Sequence, residues 1–232
     1  MSTKRSAATL AVTWVLLAAS VALIGYLITR PWQRPVDGFD NPISRWFVDG
    51  REPDLTDAAN VGTWFGETVV GVALVVLLAA FFAIWRRTWR PVVFAALVEA
   101  GIGGLYWVGT TLDHRSRPPV RILDPGLVPD ASFPSGHVAT ATAVAGCAIA
   151  LTWAYARVAR WYVVALALVP ACTLLSRLYL GAHHLTDVVT SLLYASAWVA
   201  AVALAVLPLR EGAGARIPLA HDRGVQHLPD RR

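Results

Sequence analysis

The sequence predicts an all-α fold, a six-span transmembrane helical bundle. Two observations carry this expectation. The 232-residue chain is 56% hydrophobic with only 15% charged residues, and its mean hydropathy is +0.53. Six apolar runs approach or exceed the roughly 18–20 residues that take a helix across a bilayer. The length suits one domain.

The first run, 7–28, is longer than a signal peptide, and no small-x-small cleavage site precedes a soluble domain; it reads as a span. The others are 66–85, 92–112, 138–155, 161–175 and 188–207, the fifth being the shortest. Trp32, Trp64, Trp85, Trp89, Trp107, Trp153 and Trp161 fall near run ends, where indole favours the membrane–water interface. The chain thus divides into a first helix (1–30), an outward polar loop (31–65), a core with five spans (66–209) and a disordered cytoplasmic tail (210–232). Within the loop, Asn41-Pro42 matches an N-cap followed by proline in the first turn of a short helix. Ile43, Trp46, Phe47 and Leu55 would rest that helix on the membrane surface; an ordinary connector is the alternative.

Six spans leave both termini on one side. If that side is the cytoplasm, twelve Lys and Arg residues fall inside and eight outside, as the positive-inside rule requires. The pI near 9.7 comes from charge spread over loops, which favours a membrane protein over a nucleic-acid partner. Cys147 and Cys172 lie inside spans and read as small hydrophobes. No Cys/His spacing points to zinc, and no metal or cofactor is expected.

Against this apolar background three polar clusters stand out. They are Arg117-Pro118, then Phe133-Pro134-Ser135-Gly136-His137, then Ser176-Arg177 with His183 and Asp187. The topology brings all three to one membrane face. Polar groups there are costly and mark function. His183 and Asp187 are four apart and share a face if both lie in the first turns of the last helix. A carboxylate on one imidazole nitrogen fixes the tautomer and frees the other as nucleophile or base. Ser135-Gly136 before a helix forms an anion cradle. Arg117 and Arg177 offer planar forks for phosphoryl oxygens, and His137 can protonate a leaving oxygen. His184 reads as a spectator pointing away from His183. Glu99, mid-span, is either functional or bonded to a neighbouring helix. Gly101, Gly103 and Gly104 beside it imply close helix packing.

These residues resemble the type 2 phosphatidic acid phosphatase (PAP2) family, related to the vanadium haloperoxidases. The family pattern is Lys-x6-Arg-Pro, Pro-Ser-Gly-His and Ser-Arg-x5-His-x3-Asp. The second part is intact at Pro134–His137, and the third at Ser176, Arg177, His183 and Asp187. The resemblance implies that His183 forms a phosphohistidine, Asp187 orients it and His137 is the general acid. Arg117, Ser135, Gly136 and Arg177 would hold the phosphate. The first part departs: Thr110 stands where the family has lysine, and Lys4 is the chain's only lysine. Arg115, Arg121 or His114 are candidates for the missing cation.

The resulting expectation is a metal-independent membrane phosphatase with its site on the outer face of the cell membrane and both termini cytoplasmic. Its substrate would be a lipid phosphate or diphosphate. Undecaprenyl or another polyprenyl diphosphate is favoured, because Arg115, Arg117 and Arg121 offer three cations. A glycerolipid phosphate such as phosphatidic acid is the alternative. A non-catalytic lipid-phosphate binder or transporter is the reading from another class.

Overall fold

The computed structural model describes residues 3–156, 159 and 161–209. The expected tail, 210–232, lies outside them. Eight α-helices follow in order: α1 (Thr3–Thr29), α2 (Gln33–Asp49), α3 (Pro53–Trp64), α4 (Thr68–Arg86), α5 (Arg90–Leu112), α6 (Gly136–Tyr155), α7 (Leu168–Tyr179) and α8 (Leu185–Val206). Six helical stretches are long and apolar enough to cross a membrane, and they match the six expected runs. The fifth opens as a 3-10 helix, Tyr162–Ala167, that continues into α7. Pro170, in the first turn of α7, has no N–H to give to a carbonyl four residues earlier, so the entry winds more tightly.

α6 sits at the middle, against α4, α5, α7 and α8, while α1 packs on α5 and α8. The core between them is apolar: Phe94, Val98, Leu105, Phe133, Leu151 and Val202 are buried. Val69, Leu77, Ile84, Trp107 and Leu193 are exposed, as suits side chains whose solvent is lipid. Close packing at α5 rests on Gly101, where a Cβ would fall inside the Trp198 indole. Trp14 and Trp198 then donate their ring N–H groups to the carbonyls of Gly101 (3.1 Å) and Leu97 (2.9 Å). Gly104 packs on Trp14, but a Cβ at Gly103 would meet nothing within 4 Å. The glycine cluster therefore makes two close contacts and one opening, not three contacts.

The region 31–65 departs from the expected loop. It is a pair of helices, and α2 begins at Gln33, with Asn41 and Pro42 inside it instead of at its start. The cause is tertiary. The α2 face carrying Asp40 and Ser44 is buried, and Asp40 is fastened to residues beyond span three, as described below. α3 runs along α7. Trp46 and Leu55 are exposed and Phe47 half-buried.

The C-terminal ends of α1, α5 and α7 and the N-terminal ends of α6 and α8 meet at one end of the bundle. There residues 113–135 and 180–184 connect the spans. The starts of α1 and α5 and the end of α8 gather at the other end, around a cavity lined by Ser6, Arg90 and Leu209.

Candidate active site

The backbone of 113–135 doubles back on itself. Ser132 N–H donates to Arg115 O (3.0 Å) and Arg117 N–H to Pro129 O (3.0 Å). This brings the first cluster beside the second. Pro134 packs on α5 at Gly109, where a Cβ would lie 2.5 Å from the proline ring. Ser135 then caps α6, so the helix begins with Gly136 and His137, and its first N–H groups lack intrahelical partners. The third cluster is turned by Gly181. With φ of +72° it occupies the left-handed region that glycine enters without cost. It ends α7 and sends His183 back under residue 132.

His183 and His137 line one cavity of about 560 Å³, together with Arg117, Gly136, Tyr106 and Glu99. His183 is buried, and its Nδ1 lies 2.6 Å from the carbonyl oxygen of Ser132. A carbonyl only accepts, so Nδ1 carries the proton and Nε2 keeps its lone pair. Burial first, and then the Arg177 guanidinium, push the His183 pKa down to about 3, against the opposing pull of Asp187. The imidazole is neutral near pH 7, as a nucleophile must be.

Asp187 does not make the expected direct bond. Its Oδ2 is 3.9 Å from His183 Nδ1, beyond hydrogen-bond range. His183 lies before the helix, which begins at Leu185, so the i, i+4 geometry of a helix face does not apply. Asp187 instead accepts from Ser132 Oγ (2.6 Å), the His184 N–H (2.9 Å) and Arg115 (2.6 Å). It positions the residue whose carbonyl holds His183. His184 is not a spectator either. It is buried, caps α8, and its Nδ1 lies 3.3 Å from Asp187 Oδ2.

His137 places Nε2 3.1 Å from Glu67 Oε1. A carboxylate accepts only, so this nitrogen carries a proton. Arg117 is held by three carbonyls, of Val128 (2.8 Å), Ala182 (2.6 Å) and Ala131 (3.1 Å). A guanidinium has five N–H donors, so two remain for a ligand. Burial, and then neighbouring Arg177, lower the Arg117 pKa. Two guanidiniums brought this close favour an anion between them. Arg177 is fully buried, bonded to Thr63 Oγ1 (2.9 Å) and 2.7 Å from Asp124; its Nε has no hydrogen-bond partner. Ser135 Oγ is likewise buried without one. The Ser135 N–H donates to Ser191 Oγ (2.8 Å), which fixes the turn.

None of the three candidates for the missing cation lines this cavity. Arg115 is buried and spent on acids: it donates to Asp187 and to Asp40 (2.8 Å), with Thr186 Oγ1 at 2.6 Å. Burial alone would lower its pKa; the Asp187 and Asp40 carboxylates outweigh burial and raise it. Both terminal nitrogens of Arg115 are thereby engaged by carboxylates. Arg121 is exposed, and its carbonyl accepts from Arg51 (2.7 Å). His114 is exposed and 4.0 Å from Asp130. Thr110 bonds to its own helix at Tyr106 O (3.0 Å).

Sequence reading missed Ser132, Glu67 and Asp40. A serine in a loop, an acid at a helix start and an acid in a polar segment carry no signal until the fold aims them.

A sequence model of the PAP2 superfamily matches residues 91–210. No curated protein sequence matches the chain. Among solved structures, the chain is similar to the first transmembrane PAP2-type phosphatidylglycerolphosphate phosphatase from Bacillus subtilis, at 22% identity and a TM-score of 0.66, over 84% of this chain and 92% of that one.

Proposed function

The chain belongs to the PAP2 superfamily, and from that premise we propose that it is an integral membrane phosphatase that releases phosphate from a lipid phosphate through a phosphohistidine. The observation that carries the reading is His183. It is a buried neutral imidazole with Nδ1 tied to a carbonyl, so Nε2 is free, in a cavity shared with His137 and Arg117.

In the first step His183 Nε2 attacks phosphorus and the bond from phosphorus to the lipid oxygen breaks. His137, acting as the imidazolium paired with Glu67, gives that oxygen its proton and becomes neutral. In the second step water attacks the phosphohistidine and yields a proton to His137, and the P–N bond breaks to release inorganic phosphate. Arg117, Arg177, Ser135 and the N–H groups at the start of α6, from Gly136 onward, stabilise the charge on the equatorial oxygens. Asp187 acts at one remove, through Ser132. Every part of this scheme is supplied by side chains and backbone; no metal is required.

The active site would face outward at headgroup depth, with both termini cytoplasmic, supported by the excess of Lys and Arg in the segments assigned inside. A preference for polyprenyl diphosphate requires three cations from the 115–121 loop. With Arg115 paired to two acids and Arg121 exposed and outside the cavity lining, that support falls away. Arg117 and Arg177 suit a monoester. A non-catalytic binder would not need a tautomer-fixed imidazole opposite a second histidine.

The test is phosphate release by the purified protein across a panel of lipid phosphates and diphosphates, with chelator present. Acid-labile phosphate trapped on wild-type protein and absent from His183→Ala would support the intermediate. Turnover by His183→Ala at the wild-type rate would end the proposal.

A further inference from the structure

Glu99 lines the catalytic cavity yet has no part in the chemistry above. It shares one face of α5 with Gly103 and Tyr106, at i, i+4 and i+7. Tyr106 lies at the level of the phosphate cradle: a Cβ at Gly136 would be 3.2 Å from its ring. Seven residues of helix put Glu99 about 10 Å deeper into the membrane. Between them Gly103 leaves the wall hollow. The cavity wall combines Val72, Ala100, Ile102 and Ala139 with Thr68 and Thr140. Glu99 Oε1 is buried there without a hydrogen-bond partner.

An acid oxygen buried there with nothing to bond is costly unless a ligand supplies the partner. A lipid held by its phosphate at His183 would run its body down this groove, past Gly103. In a polyprenyl phosphate that stretch is hydrocarbon. In a diacylglycerol phosphate the ester carbonyls lie roughly five to seven bonds from phosphorus, which spans about 6–8 Å at the advance per bond of an extended chain. The few ångströms that remain are about the length of one hydrogen bond.

We infer that Glu99 is a specificity-determining residue whose carboxyl donates a hydrogen bond to an ester carbonyl of the substrate's glycerol backbone. The cavity thereby favours diacylglycerol phosphates over polyprenyl phosphates. This rests on the phosphatase reading above and adds the substrate class. A site built to bond a substrate oxygen discriminates strongly against an analogue that lacks it, because its own polar group is left unpaired.

The experiment compares kcat/KM on three monophosphates in one detergent: a diacyl phosphatidate, its dialkyl ether analogue, which lacks the carbonyls, and a polyprenyl phosphate. Wild type should prefer the diacyl ester over the ether by about tenfold, one hydrogen bond's worth. Glu99→Leu should lose that preference by slowing on the ester alone, and Glu99→Gln, which keeps a donor, should retain most of it. Vanadate inhibition should be unchanged in both, since vanadate does not extend to Glu99. A wild-type ester-to-ether ratio near one overturns the inference without any variant. So does an equal fall on all three substrates in Glu99→Leu. Failure of wild type to release phosphate from any of the three would instead sink the phosphatase reading itself.

Discussion

His183 donates its Nδ1 proton to the carbonyl of Ser132 at 2.6 Å. The spacing His-x3-Asp implies a direct pair, but Asp187 is 3.9 Å from that nitrogen. The carboxylate holds Ser132 through its hydroxyl and, from the first turn of α8, accepts the backbone N–H of the N-cap His184. Positioning of the His183 ring is therefore relayed through a backbone that side-chain substitution cannot delete.

It follows that Asp187→Asn should slow turnover without abolishing it. The loss should be about 10- to 100-fold in kcat, the usual cost of disturbing a group that orients a reacting one. Ser132→Ala keeps the carbonyl and should lose less than Asp187→Asn. Steady-state kinetics on the three proteins checks the order. Ser132→Ala slower than Asp187→Asn would mean the hydroxyl itself touches substrate.

Arg115 and Arg117 should fail differently. Arg115 is sealed between Asp40 and Asp187, and removing one partner of a buried pair costs about 3–5 kcal/mol. Arg115→Ala should thus lower the unfolding midpoint sharply in detergent. Arg117→Ala should instead weaken vanadate inhibition and lower the unfolding midpoint less, because the carbonyls it leaves are exposed or only partly buried. Thermal scans paired with vanadate titration separate the two; a stable Arg115→Ala with weakened vanadate binding would reverse their roles.

Thr110 stands one turn beyond Tyr106 on α5, with its hydroxyl occupied by its own helix. No other cation fills the lysine's place in the cavity among the described residues. Thr110→Lys should therefore tighten vanadate inhibition by about tenfold, at the low end of a charge-assisted contact of about 1.5–3 kcal/mol. Unchanged or weaker inhibition would show that the site is already complete.

The pH dependence of stability has a definite sign. Burial lowers the His183 pKa from its ordinary 6.5 to about 3. Between those values the unfolded chain holds a proton that the folded chain lacks, so His183 makes stability fall as pH drops through that window. One proton corresponds to about 1.4 kcal/mol per pH unit. His183→Asn should flatten the fall in unfolding midpoint between pH 7 and pH 5. A profile as steep as wild type would show that His183 is not held neutral.

Orientation is open to labelling. Val128 is exposed at the site end, and Thr88 sits between α4 and α5 at the other. In a Cys172→Ser background, an impermeant thiol reagent outside the cell should modify Val128→Cys and spare Thr88→Cys. The opposite pattern would invert the proposed topology.

Hydropathy and short spacings in the sequence were enough to read the six spans and the gathering of the polar clusters at one end of the bundle, so both survive without knowledge of packing. Of the clustered residues Arg117, Gly136, His137 and His183 line the cavity, whereas Ser135, Arg177 and Asp187 are buried and do not. The sequence also exposed the loss at Thr110, since a missing residue in a fixed spacing is legible as such. The tertiary structure decided who bonds to whom. Arg115 became a fold residue because Asp40, 75 positions earlier, arrives on a helix that no local signal placed. His184 and Ser132 entered the Asp187 network because α8 starts one residue after His184, a boundary that helix periodicity does not fix. Glu99 acquired a candidate partner only when Gly103 proved to face open space. Hydrogen bonds act over about 3 Å, and only the assembled fold brings residues so far apart in the chain to that distance.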